Sequence, residues 1–210
     1  MSESFYPVFT VGHSNHPPET FINLLLRHGI DEVADVRSAP YSRYTPHFNY
    51  EPLQQALDDI GIAYAYLGGE LGGRPADRSC YDSDGRVLYD RVAETTQFDD
   101  GIRSVIRAAD ERRVALLCTE KEPLECHRTL LVARALAERG VPVAHILASG
   151  GLESHGDAMA RLVKAHKLPP NGDMFRTRDD VIVEALERQA RKFAYVAEKP
   201  TATPDEWDAA

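Results

Sequence analysis

The span Cys118 to Arg128, CTEKEPLECHR, packs two thiols, an imidazole, a guanidinium and three carboxylates, Glu120 the nearest to Cys118, into eleven residues. A buried strand that delivers Cys118 to a sheet edge, followed by a helix starting near His127 and Arg128, predicts an anion site: helix starts carry unpaired N–H groups and partial positive charge. Arg128 would add a bidentate clamp, Lys121 a further cation, and Cys118 a nucleophile if those charges lower its pKa. The bland alternative is that Cys118 fills core while His127 and Arg128 cap or solvate the helix. No glycine in the span lets amides curl around a phosphate, so the anion loop of tyrosine phosphatases and rhodaneses is not expected. No metal is expected either, because Cys126 and His127, as neighbours on one helix start, would diverge by about 100°.

Further candidates recur along the chain. Gly12-His13-Ser14 offers an acid or base, His13, and an anion ligand, Ser14, although Gly12 can merely permit a turn and Ser14 can cap a helix. Asp35 and Arg37 project from one face of a strand end, free to bind or to pair with each other. Tyr41, Arg43 and Tyr44 follow, with His47, as donors and rings suited to a phosphate and a flat base. Glu70, between Gly68-Gly69 and Gly72-Gly73, is the preferred acid/base, with Glu120 the second carboxylate.

These residues need a scaffold that brings strand ends together. Apolar, β-rich stretches at residues 5–11, 32–37, 63–67, 113–118 and 143–147 alternate with helical patterns at FINLLLRHG, after Pro52, at 88–94, 98–109 and 126–139. Sustained alternation predicts a Rossmann-like or flavodoxin-like three-layer α/β fold around a mainly parallel sheet of about five strands, with ligands beyond the strands' carboxyl ends. The run from Gly68 to about Gly85 reads as a lid loop. Two further helical stretches are expected from Gly156 onward, at 157–166 and 179–198; residues 1–168 are expected to form the α/β domain and 169–210 a helical C-terminal extension with a disordered end, KPTATPDEWDAA.

Composition narrows the classes. The 210 residues carry 33 acidic and 24 basic side chains, net −9, which weighs against tight nonspecific nucleic-acid binding and requires any phosphate site to be local. No apolar run spans a membrane, no signal peptide opens the chain, and three cysteines suit a reducing compartment, so a cytoplasmic location is expected. A homodimer stays open, and no cofactor is specified.

TVGHSN, DVRSAPYSR, YLGGELGG and CTEKEPLECHR, in that order, resemble the bacterial and archaeal family called domain of unknown function number 488, over roughly residues 7 to 168. The resemblance implies a shared pocket built from His13, Ser14, Asp35, Arg37, Ser42, Arg43, Glu70, Gly72, Gly73, Cys118, Glu120, Cys126, His127 and Arg128, and supplies no reaction. Three functions compete. The first is a hydrolase-like or transferase-like enzyme on a phosphorylated or nucleotide-like ligand, with Arg37, Arg43 and Arg128 holding the anion. The second is a non-catalytic nucleotide- or anion-sensing module. The third is a protein using Cys118 or Cys126 in redox or metal-linked chemistry.

Overall fold

Val8–Gly12 (β1) is buried along its whole length, as a strand must be when helices cover both faces of a parallel sheet. The computed structural model describes residues 6–197, so the start of the first expected strand and the terminal KPTATPDEWDAA lie outside the described residues. Pro17 and Pro18 open helix α1 (Pro18–Arg27), which buries Phe21, Leu24 and Leu25. Strand β2 (Glu32–Asp35), helix α2 (Tyr50–Asp58) and strand β3 (Ala63–Tyr66) complete the first half.

The glycine-rich run does not stay open at its start: Gly68–Leu71 is a single helical turn (α3) that buries Leu71. Helix α4 (Tyr89–Ala93) precedes α5 (Thr96–Glu111), whose first turn is capped by the Thr95 side chain accepting from the Phe98 amide. Strand β4 (Val114–Cys118) is again wholly buried. The helix expected over 126–139 is instead a π-helical stretch, Arg128–Ala133, continued by α6 (Arg134–Glu138). Such widened turns often sit beside functional sites. Strand β5 (Val143–Ile146), a short β6 (Leu152–Ser154), α7 (His155–Ala165) and α8 (Arg178–Phe193) follow.

The sheet has six strands in the order β3-β2-β4-β1-β5-β6, parallel except for β6, which pairs antiparallel with β5. The three-layer α/β architecture is as expected, with one strand more than the five anticipated. β6 escaped detection because it is three residues long and mostly exposed, and is formed by backbone pairing through the tight turn at Gly150 (φ 81°) rather than by apolar side chains. Relative to the doubly wound dinucleotide-binding sheet, β1 and β4 have exchanged places.

Two apolar layers clamp the sheet. Phe21, Leu25, Leu53 and Leu57 of α1 and α2 pack on one face. Ile102 and Val105 of α5, Leu130 and Leu136, Leu162 of α7, and Val181, Ala185 and Leu186 of α8 pack on the other. Each of these side chains larger than alanine contributes about 1.5–3 kcal/mol when fully buried. The chain leaves β1 toward one edge and β4 toward the other, so these neighbours form the topological switch point of the sheet.

Candidate functional site

The loops after β1 and β4 are bound together by backbone: the His13 amide donates to the Cys118 carbonyl at 2.9 Å and the Ser14 amide to the Thr119 carbonyl at 2.8 Å. Gly12 is where they touch. A Cβ there would lie 1.8 Å from the Glu120 carbonyl oxygen, so no other residue fits without moving the loop.

Three of the expected charged groups are engaged internally. Asp35, fully buried, accepts from Arg37 Nε at 2.9 Å and Nη2 at 2.6 Å, and from the Tyr64 hydroxyl at 2.7 Å. Arg37 spends Nη1 on the Phe48 carbonyl at 2.8 Å and contacts His13 Nε2 at 3.2 Å. The guanidinium can only donate there and the Ser14 carbonyl can only accept from Nδ1 (2.8 Å), so His13 is a neutral ring with Nδ1 protonated and both nitrogens in use. Burial, then the Arg37 charge, lowers its pKa to about 4. Arg128, fully buried, donates Nη1 to the Glu120 carbonyl at 2.6 Å and Nη2 to the Lys121 carbonyl at 3.4 Å. The expected anion clamp is therefore a brace for the loop after β4.

A cavity of about 400 Å³ opens beyond β2 and β4. Of the expected residues, Arg37, Tyr41, Cys118, Glu120 and His127 line it, as does Ser42. His13, Ser14, Asp35, Arg43, Tyr44, Glu70, Lys121 and Arg128 do not. Arg43 stacks on Tyr44 on the surface, 4.7 Å from the ring centroid. Glu70 turns its Cβ toward Gly101 of α5. Residues that sequence reasoning missed complete the walls: Arg74, Tyr89, Phe193 and Tyr195. Arg74 lies 4.5 Å from the Tyr195 ring centroid, and the last two aromatics come from the C-terminal segment. That segment is tied down by the Val87 amide donating to the Tyr195 carbonyl at 2.9 Å and the Ala197 amide to the Gly85 carbonyl at 2.7 Å.

The cavity floor holds Cys118, Glu120, Cys126 and His127. Both sulfurs lie 2.9 Å from one carboxylate oxygen, Glu120 Oε2. His127 Nδ1 lies 3.6 Å from the Cys118 sulfur and 3.9 Å from the Cys126 sulfur, and its Nε2 donates to the Val36 carbonyl at 2.9 Å. Gly73 makes room for this ring, since a Cβ there would sit 2.8 Å from His127 Cγ. Although Glu120 is an exposed residue, Oε2 is turned inward between the sulfurs, and burial together with the Cys126 sulfur raises its carboxyl above the ordinary range. Burial and the Cys126 contact push the Cys118 thiol up. For Cys126 burial acts upward too, but the Cys118 hydrogen bond and the Arg128 charge outweigh it and hold this thiol well below its usual value.

Fold and cleft define an α/β protein with a polar site at the carboxyl ends of parallel strands. The chain belongs to the family Domain of unknown function DUF488, which it matches over residues 17–135. No curated protein and no solved structure matches the chain. Among the described residues no helix is long and apolar enough to cross a membrane.

Proposed function

We propose that this protein is a hydrolase-like enzyme acting on a phosphorylated or nucleotide-like ligand held in the cleft beyond β2 and β4. One observation carries the reading: a single cavity joins a carboxylate of raised pKa, Glu120, to aromatic walls and an exposed arginine, Arg74. A carboxyl poised nearer neutrality is suited to moving protons to and from water and a leaving group. Tyr41, Tyr89 and Tyr195 offer faces for a flat ring, and Arg74 takes the anion-binding role that Arg37 and Arg128 surrender to their internal partners.

The test is turnover. Full-length protein is incubated with nucleoside mono-, di- and triphosphates and aryl phosphates, and product is followed. Release by the wild type that Glu120→Gln abolishes while nucleotide still binds supports hydrolysis. Bound nucleotide recovered unchanged from the wild type ends this reading and identifies a sensing module instead.

A further inference from the structure

We propose that Cys118, Cys126 and His127, with Glu120 as a movable fourth ligand, bind a thiolate-preferring divalent cation, zinc foremost, at the cleft floor. Donor atoms of these four side chains all lie within 4.8 Å of one another. Zinc bonds of about 2.3 Å to sulfur and 2.0–2.1 Å to nitrogen, arranged tetrahedrally, separate sulfur from nitrogen ligands by about 3.5 Å. The observed separations from His127 Nδ1, 3.6 and 3.9 Å, lie at or just above that edge length.

The imidazole is also oriented as a ligand should be. The Val36 carbonyl can only accept, so Nε2 carries a proton and Nδ1 is the ring nitrogen that faces the sulfurs, the one whose lone pair a cation would take in place of a proton. A backbone carbonyl that fixes the tautomer and orientation of a metal-binding histidine is the usual outer-shell arrangement. The Arg128 amide, 3.4 Å from the Cys126 sulfur, adds a donor to a would-be thiolate.

The objection that neighbours on a helix diverge does not apply. Cys126 is extended (φ −135°, ψ 141°), and the chain turns into helical geometry only at His127 (φ −59°, ψ −27°), which lets both donors face one point. Two thiolates and an imidazole favour zinc over the hard cations magnesium and calcium, which take oxygen ligands.

Glu120 differs from the other three. Its oxygen, 2.9 Å from both sulfurs, is closer than a ligand on the same ion would sit, so a bound ion displaces it outward. It then closes the tetrahedron or yields that position to a water facing the cavity and takes the water's proton. That last use rests on the hydrolytic reading, whereas occupancy is measurable without any substrate.

The full chain is purified under reducing, chelator-free conditions, assayed for zinc, then stripped anaerobically and titrated with cobalt(II). Expected are one zinc per chain and, with cobalt, a sulfur-to-metal charge-transfer band with the strong visible bands of a four-coordinate ion. Cys118→Ser and Cys126→Ser each remove one sulfur's share of that band. His127→Gln keeps the band but weakens zinc by more than the 10–100-fold typical of losing an outer-shell partner. Glu120→Gln retains the ion. Circular dichroism confirms that each variant is folded, and competition with a coloured chelator gives its affinity. A folded, reduced wild type that gives no charge-transfer band, or a band untouched in both cysteine variants, overturns the site. Zinc bound without hydrolysis of any phosphate ester removes the hydrolytic proposal alone; hydrolysis by a folded, reduced protein that gives no charge-transfer band with cobalt removes this one alone.

Discussion

Arg128 Nη1 donates to the main-chain carbonyl of Glu120 at 2.6 Å from a fully buried position, so a charged side chain holds in place the backbone of the loop that carries the acid. Arg128→Met keeps the volume but leaves the Glu120 and Lys121 carbonyls without their donors. A hydrogen bond from a charged donor is worth about 1.5–3 kcal/mol and the short Glu120 bond dominates, so chemical unfolding should show a loss of about 2 kcal/mol. A variant with wild-type stability and weakened anion affinity would return Arg128 to the role of ligand clamp.

The Asp35–Arg37 pair makes a similar point at the end of β2. Both side chains are buried, and removing one charge strands the other. Asp35→Asn should therefore cost about 3–5 kcal/mol in urea unfolding. The cost arises although Asp35 lies outside the cavity lining, and the carboxylate also anchors Tyr64 at 2.7 Å. An unchanged unfolding midpoint would show that the pair is dispensable.

His13 gives stability a pH dependence whose sign follows from its contacts. Burial, then Arg37, holds its folded pKa at about 4, whereas an unfolded histidine titrates near 6.5. The unfolded chain takes up the proton first, so this contribution is complete above about pH 6.5 and is lost as pH falls through about 4. Its size is on the order of 3 kcal/mol. Asp35 and His47 also face the ring, and His145 and His155 are lowered in the same direction, so the readout is a difference. His13→Gln should lose less stability than the wild type between pH 6.5 and 4. Parallel profiles would refute a neutral His13.

The inner strands were legible because burial on both faces demands apolar runs such as VALLC, the half-exposed edge strand β3 showed through its β-rich AYAY, and no periodicity announces a three-residue edge strand like β6. Sequence placed His13, Arg37 and Cys118 correctly at strand ends, but type and spacing do not reveal that His13 and Arg37 already satisfy one another. Arg74, Tyr89 and Tyr195 reach the cleft through contacts between distant segments, for which a single chain carries no local signal. The 100° divergence expected between Cys126 and His127 requires helical backbone at both, and Cys126 is extended, which no local sequence signal announces.

Helix α8 makes the last claim. Thr177 and Asp180 close a reciprocal capping box at its start, so the helix begins where its sequence dictates. Its Val181, Ala185 and Leu186 are buried in the larger core cluster, and Gln189 donates to the Leu124 carbonyl at 2.8 Å just ahead of Cys126. An extension that merely decorated the domain would be removable. These contacts instead predict that Val181→Asp, which sets a charge among packed side chains, costs at least about 3 kcal/mol. The loop carrying Cys126 and the wall formed by Phe193 and Tyr195 should loosen with it. Hydrogen exchange on the variant tests this directly: faster exchange at residues 122–131 as well as within α8 is the expected pattern. Faster exchange confined to α8, with an unchanged global unfolding midpoint, would show that the helix is an independent appendage.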